Sequence, residues 1–316
     1  MYISDKDALL YASRLLLLLV PFFSSFFTTW SWLIEILLLV ALFIHCRNSG
    51  LRLSALFLGL GYLAAFIPVG VSGFSQIGFV PWAGVIFLAL KEKGFDFSHS
   101  IFWGLIAAAL LSALPVIPML KEFLQPEVIQ KNIDSLLQLY KEQGTLNSLE
   151  EQGVSLAELK KYLQLAMPIY YQLMPAFSSI IGFLEFGVAY LTIRFSLKKI
   201  QKTEPFDHFR LPWYEVWFTI CGLAAYLGGD YLGVEALRIA GINIMAVMAA
   251  ISLVLGFACL VYLMKHPKLP RFMVWIFILI GVFFPYLLLG GLVIVGLFDP
   301  VLNLRKIPEK SEGGKQ

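Results

Sequence analysis

The sequence has 316 residues, of which 59% are apolar and 14% charged, with a net charge of +3 and a mean hydropathy of +0.79. Soluble proteins carry roughly 25% charged residues, so this composition excludes an ordinary soluble protein and makes the lipid bilayer the first expected partner. No basic segment interleaved with aromatic residues occurs in the sequence, so nucleic acid is not an expected partner.

Apolar runs long enough to cross a bilayer recur along the chain and predict a single transmembrane domain over residues 1–316. A helical span needs about 20 apolar residues. Only helices fit these runs, because a lipid-exposed backbone must satisfy its hydrogen bonds within its own segment. The predicted fold class is therefore all-α, a polytopic transmembrane helical bundle of about nine spans, with eight or ten left open. In chain order the predicted spans are residues 8–27, 30–45, 53–69, 74–90, 100–119, 168–195, 213–229, 239–264 and 272–298.

The positions of Lys and Arg predict a cytoplasmic N-terminus, because short cytoplasmic loops of membrane proteins carry an excess of basic residues. The opposite side has a nearly uncharged turn at residues 70–73, a long insertion, and a turn with Asp230, Glu235 and Arg238. The polar C-terminal tail, residues 299–316, does not fit this orientation, because nine spans would place its basic residues on the outer side. Either the tail is an exception, or the last apolar run bends back at Pro285 and Gly290, or an early span does not cross. In this orientation the cytoplasmic loops contain Arg47, Arg52, Lys91, Lys93, Arg194, Lys198, Lys199, Lys202, Arg210, Lys265, Lys268 and Arg271.

Residues 121–165 form the one sizeable polar segment between predicted spans, and their pattern predicts an amphipathic helical insertion between spans five and six. A second helix is predicted to begin at Ser155, because Glu158 three residues later completes a capping box. Gly144 and Gly153 bracket the turn between the two helices. The hairpin would lie on the extracytoplasmic mouth, either as an interfacial connector or as a partner-binding element. The apolar face of its first helix consists of Ile129, Ile133, Leu136, Leu137 and Tyr140.

Sequence motifs of soluble and intramembrane enzymes are missing or misplaced. Neither the phosphate-binding GxxxxGK[ST] loop nor the HExxH zinc motif occurs. Residues 70–73 match the GxSG of intramembrane serine proteases, but Ser72 is assigned to the side opposite the histidines, about 30 Å of hydrocarbon away. The cysteines have neither disulfide nor metal spacing. The sequence therefore predicts no enzyme, no metal site and no cofactor. The histidines are His45, His99, His208 and His266, and the cysteines are Cys46, Cys221 and Cys259.

Two carboxylates lie inside predicted spans, Glu185 deep in the sixth and Glu35 in the outer part of the second. Ionisable groups are costly in lipid, so each is a candidate for ligand, ion or proton handling, or else a carboxyl that is hydrogen-bonded to a neighbouring helix or held protonated by desolvation. Other polar residues gather near the outer ends of spans, where they would line an outward-open pocket or belong to the interfacial belt. The predicted ligand-binding residues are Glu185, Glu35, Gln76, Tyr171, Gln172 and Asn243.

The last third of the chain resembles the YybS-like family of uncharacterised bacterial membrane proteins. The resemblance rests on the loop at residues 205–212, the loop at residues 266–271, the ending Gly-Leu-Phe-Asp-Pro at residues 296–300 and the motif Asn-Leu-Arg-Lys at residues 303–306. It implies a bacterial inner-membrane protein. It also implies a helical core similar in outline to the S-components of energy-coupling-factor vitamin transporters, which bind a small molecule outside and rely on separate ATPase and coupling subunits.

Two functions from different classes are expected from these patterns. The first is the substrate-binding subunit of a small-molecule, vitamin-like transporter that lacks its own ATPase. The second is a membrane scaffold or assembly factor for the cell envelope or division machinery, with the insertion as its partner-binding element. Transport predicts a partly polar pocket containing Glu185 or Glu35, whereas scaffolding predicts both carboxyls buried in helix contacts with no cavity above about 300 Å³.

Overall fold

The computed structural model describes residues 5–24, 26–70, 77–197, 205–265 and 271–307. Within these ranges every regular element is a helix, which confirms the predicted all-α fold class. Two short 3₁₀ turns lie at Thr28–Trp30 and Phe206–His208. The α-helices are α1 (Asp5–Ser24), α2 (Ser31–Ser49), α3 (Leu51–Val69), α4 (Pro81–Glu92), α5 (Phe97–Ala113), α6 (Ile117–Phe123), α7 (Pro126–Glu142), α8 (Thr145–Glu151), α9 (Leu156–Gln172), α10 (Met174–Leu197), α11 (Glu215–Leu232), α12 (Glu235–Lys265), α13 (Arg271–Phe283) and α14 (Pro285–Leu302).

Several helices have the length and apolar composition of membrane spans. In the part of the chain that the structure describes, α2, α3, α10, α12 and α14 each meet this criterion alone. The pair α5 and α6 meets it together, with a bend of 44° between the two helices. The apolar part of α1, Ala8–Phe23, is shorter. The protein is therefore a multi-pass membrane protein. By length and composition, the residues that the structure describes contain five or six spans, against the nine predicted from the whole sequence.

The helices define a bundle with two distinct ends. We call the end that carries Arg47, Lys91, Arg194 and Lys265 the basic end, and the opposite end, which carries α6–α9, the insertion end. Of the predicted loop residues, Lys198, Lys199, Lys202 and Lys268 lie outside the described residues, as do Ser72, His266 and the tail from residue 308.

Helix α4 is shorter than the predicted span at residues 74–90. It begins only at Pro81 and has 12 residues, which corresponds to about 18 Å against the roughly 30 Å of a hydrocarbon core. Proline at the first helical position fits a helix start, because the missing N–H has no intrahelical partner there in any case. Since α4 ends at the basic end, its first turn lies inside the bundle.

The last apolar run forms two helices, so the prediction of one span over residues 272–298 is wrong. The chain breaks at Phe284, and Pro285 begins α14, because proline disfavours a helical conformation in the residue before it. Helix α14 runs alongside α12 in the same direction. Gly296 lies against Ser252, and both Arg305 and Lys265 donate hydrogen bonds to Asp207. The chain therefore returns to the basic end, as expected if the run bends back near Pro285.

The insertion consists of α7, α8 and α9. Ile133 of the predicted apolar face is fully buried, and the side-chain amide of Asn132 donates a hydrogen bond to the Tyr171 hydroxyl (2.7 Å), which joins α7 to α9. The capping box of Ser155 and Glu158 at the start of α9 is confirmed. Gly144 and Gly153, expected to bracket a turn, both have positive φ, and α8 lies between them.

Candidate functional site

A cavity of about 840 Å³ lies in the half of the bundle nearest the insertion end. Its walls come from α2, the segment before α4, the bent pair α5 and α6, and α10. Glu35 and Glu185, which are far apart in sequence, both line it. The complete set of lining residues is Ser31, Trp32, Glu35, Ile36, Ile77, Gly78, Ser112, Pro115, Val116, Met119, Ser178, Ile181, Leu184, Glu185 and Val188.

Glu35 is held at the N-terminus of α4. Its carboxylate accepts a hydrogen bond from the backbone N–H of Val80 (3.0 Å), the residue that precedes the helix, and the side chain is 6% exposed. The N-terminus of a helix carries a partial positive charge that favours an anion. The short α4 therefore supplies both a donor and a favourable dipole to a carboxylate inside the bundle.

Gly78 makes room for the Glu35 carboxylate. A Cβ atom on Gly78 would overlap the carboxylate atoms of Glu35, so no larger residue fits while Glu35 keeps this position. The Tyr62 hydroxyl on α3 donates a hydrogen bond to the Gly78 carbonyl oxygen (2.5 Å). This bond holds the segment before α4 against α3. Sequence reasoning missed Gly78, although Pro81 signals that a helix begins just after it.

Glu185 lies at the middle of α10 and is held differently. Phe186 beside it packs edge-to-face on Phe43 and Phe87, which fixes the rotation of the helix and turns Glu185 toward the cavity. The residue is 5% exposed, and its Oε2 atom accepts no hydrogen bond from any described residue. Buried carboxylate oxygens normally have donors, so the open position is a place where a ligand could donate.

A seam of small residues joins α5 to α10 beside the cavity. Ser112 and Ser178 hydroxyls each donate to the other residue's carbonyl oxygen, at 2.7 and 2.6 Å, and the Ser179 hydroxyl donates to the Ala109 carbonyl (2.9 Å). A Cβ on Gly182 would overlap the Ala108 carbonyl, so the two backbones are in close contact. Small residues permit such an approach in lipid. The seam sets the distance between two of the cavity walls.

Of the other predicted ligand-binding residues, Tyr171, Gln172 and Asn243 do not line this cavity. Tyr171 stacks on Phe123 and accepts the hydrogen bond from Asn132, within the insertion. Gln172 ends α9, and its carbonyl accepts a hydrogen bond from the Asn243 side chain. Gln76 lies outside the described residues.

Asn243 joins three segments at the break between α9 and α10. Its side-chain oxygen accepts from the Ala176 N–H (2.7 Å), and its side-chain nitrogen donates to the carbonyls of Gln172 and Ile239 (both 2.7 Å). These bonds satisfy a backbone N–H in the first turn of α10 and a backbone carbonyl in the last turn of α9. Groups at these helix ends have no intrahelical partners. Within the described structure, Asn243 thus positions the start of α10 against α12.

Replacing Asn243 with leucine is expected to destabilise the protein by about 1–3 kcal/mol, because buried backbone groups lose their partners. The Ala176 amide should show the largest rise in hydrogen exchange, measured by mass spectrometry in lipid nanodiscs. The same substitution at Asn48, whose side chain makes an exposed bond to the Ile44 carbonyl, serves as the control and should leave Ala176 unchanged. Unchanged Ala176 exchange in the Asn243 variant would contradict this role.

A second polar cluster closes the basic end. The buried Arg305 donates to the Asp299 carboxylate (2.7 and 3.0 Å) and to the carbonyls of Asp207 and Phe209 (2.8 and 2.7 Å). Lys265 at the end of α12 donates to Asp207 (3.0 Å). Burial raises the pKa of Asp207, but the hydrogen bond and charge of Lys265 and the charge of His208 outweigh burial and hold that pKa below its usual value. The cluster ties the loop before α11 to α12 and α14.

The histidines take part in packing at the basic end where the structure describes them. His45 contacts the Ser54 hydroxyl (2.8 Å), and His99 contacts the Tyr214 hydroxyl (2.6 Å). Among the described residues, no group of three or more His, Cys, Asp or Glu side chains is arranged to hold a metal ion.

Comparison with known proteins gives one result. No curated protein and no solved structure matches the chain. A family model described as "Predicted membrane protein (DUF2232)" matches residues 8–300, which is nearly the whole chain and agrees with the helical bundle described above. The chain therefore belongs to the DUF2232 family of predicted membrane proteins.

Proposed function

We propose that the protein is the substrate-binding subunit of a small-molecule transporter and that the cavity lined by Glu35 and Glu185 is its binding site. The volume of about 840 Å³ supports this, because ligand pockets of 300–1,000 Å³ enclose most of a small molecule. The scaffold hypothesis expects no cavity above about 300 Å³ beside these carboxyls. The cavity is the observation that carries the proposal.

The architecture around the cavity also supports transport. Transporter sites are typically built by discontinuous helices whose N-termini lie near the middle of the bilayer. Helix α4 has this form, with its first turn inside the bundle beside Glu35, and the bend between α5 and α6 forms part of the opposite wall. The resemblance to the YybS-like family and, in outline, to S-components agrees with a binding subunit that depends on separate ATPase and coupling subunits.

The orientation belongs to the same proposal. The basic end carries Arg47, Lys91, Lys93 and Lys265, and the positive-inside rule assigns that end to the cytoplasm. The N-terminus would then be cytoplasmic, the membrane would be the bacterial inner membrane, and the cavity would open outward. The insertion, α7–α9, would lie over its extracytoplasmic mouth.

Filling the cavity tests the proposal directly. Ile181 lines the cavity without a polar contact, so Ile181→Trp should occupy its volume and leave both carboxylates in place. We expect the gently solubilised wild type to release a stoichiometric small molecule in native mass spectrometry. The amount bound per protein should be at least about tenfold lower in Ile181→Trp. Leu227→Trp, at an exposed position of α11 away from the cavity, is the matched control and should retain the molecule.

Two results would contradict this function. In the first, the wild type releases no small molecule and instead carries a stoichiometric protein partner through the insertion, which favours the scaffold. In the second, Ile181→Trp retains the molecule as fully as Leu227→Trp does, which places any binding site elsewhere.

A further inference from the structure

The titratable side chains that line the cavity, among the described residues, are both acidic. Two carboxylates face it, and no Lys, Arg or His is among the described residues that line it. Most of the remaining wall is apolar. When these carboxyls are ionised, the potential in the cavity is negative, and it is strong because the surroundings have a low dielectric constant.

The two carboxylates differ in how far the protein compensates them. Glu35 has the Val80 N–H and the N-terminus of α4. Glu185 has neither, and its Oε2 atom, buried on the cavity side of α10, accepts no hydrogen bond from the described residues. An uncompensated carboxylate is costly in such a place unless a partner supplies a donor and an opposite charge. Glu185 is therefore the position where an occupant would add both.

Building on the binding function proposed above, we propose that the cavity takes a small organic cation, an amine with an apolar body, whose positive group pairs with Glu185. Among the described residues, no group of three or more His, Cys, Asp or Glu side chains is arranged to hold a metal ion, so we propose an organic cation as the occupant. The nearby hydroxyls of Ser112 and Ser178 already donate to backbone carbonyls across the α5–α10 seam. Trp32, Ile181 and Val188 give apolar and aromatic walls that suit an organic body and a nearby cation.

Charged thiol reagents test the sign of the cavity without knowledge of the natural ligand. We would place Ile181→Cys, one helical turn before Glu185, in a background with Cys46, Cys221 and Cys259 replaced by alanine. The probes are the cationic 2-(trimethylammonium)ethyl and the anionic 2-sulfonatoethyl methanethiosulfonates, with methyl methanethiosulfonate as the neutral probe. Tyr231→Cys, at an exposed position at the insertion end, supplies the reference ratio.

We expect the cationic reagent to react with the Ile181→Cys thiol about tenfold faster than the anionic one after correction by the reference ratio. Adding Glu185→Gln should reduce that preference at least about threefold, because it removes the uncompensated charge. Glu235→Gln removes an exposed carboxylate at the same end of the bundle and should leave the preference unchanged.

The outcomes separate the charge of the ligand from the existence of the site. If the neutral probe does not reach Ile181→Cys, the cavity is closed and the proposed function fails together with this inference. If the neutral probe reacts while the charged probes keep the reference ratio, the cavity stands and the cationic ligand class is overturned. Should Glu185→Gln not fold, protection of the Ile181→Cys thiol by 2-phenylethylamine but not by 2-phenylethanol supports the inference, and equal protection by both overturns it.

Discussion

Replacing Gly296 with alanine is expected to destabilise the protein by about 3 kcal/mol, because overpacking of a well-packed interior costs this much when the neighbours cannot yield. A Cβ on Gly296 would overlap the Ser252 carbonyl oxygen and crowd the Gly256 nitrogen, which are backbone atoms of α12. Helix α14 would have to move away from α12. The measurement is unfolding in lipid or mild detergent by SDS titration or steric trapping.

Gly291 supplies a control on the same helix. A Cβ there would meet no atom within 4 Å, so Gly291→Ala should be neutral or stabilise by up to about 1 kcal/mol through the higher helix propensity of alanine. Glycine-to-alanine substitution is therefore expected to be neutral or stabilising at position 291 and destabilising at position 296, one and a half turns later on α14. Equal stability of the two variants would show that α14 does not pack on α12 as described.

The second large effect is expected from Arg305→Met, at about 3–5 kcal/mol, because removing one partner of a buried ion pair leaves the other charge uncompensated. Asp299 would lose the two hydrogen bonds that Arg305 donates to its carboxylate, and the carbonyls of Asp207 and Phe209 would lose their bonds from Arg305. Unfolding free energy is again the measurement, and protease cleavage of the loop before α11 should rise with it.

Two further variants separate charge from packing at this cluster. Adding Asp299→Asn to Arg305→Met should recover part of the lost stability, because the unpaired carboxylate is gone. Lys306→Met removes an exposed charge next in the chain and should change stability by no more than about 0.5 kcal/mol. A similar loss in Lys306→Met and Arg305→Met would contradict the role of the buried pair.

The fold class could be predicted from sequence because apolar length alone demands helices in lipid. The path of the chain could not be predicted fully. Apolar composition carries no information on the direction of the chain, so it predicts one span over residues 272–298, although Pro285 marks the break. Residues 77–80, directly before α4, are likewise predicted as membrane helix, because apolar composition inside a bundle does not distinguish helical from non-helical backbone.

The candidate site was predictable only where chemistry is unusual in lipid. Glu35 and Glu185 can be recognised in the sequence because an ionisable side chain within an apolar run is energetically costly. Both line the cavity. Asn243 stands out for the same reason, but in the structure its bonds join α9, α10 and α12. A polar residue in a span has the same sequence signature in a site and in a helix contact. The roles of Gly78 and of the Val80 N–H leave no signature, because both depend on the carboxylate of Glu35, which lies 45 positions before Val80.

The return of α14 to the basic end has a consequence for how the protein is assembled. Arg305 and Lys306 need not be carried through hydrocarbon, since they finish on the same face as Lys265. Helices α13 and α14 can enter the lipid as a hairpin from that face after the earlier helices have been placed. The hydrogen bonds of Arg305 to Asp207 and Phe209 would then hold the hairpin in place after it has packed against the earlier helices.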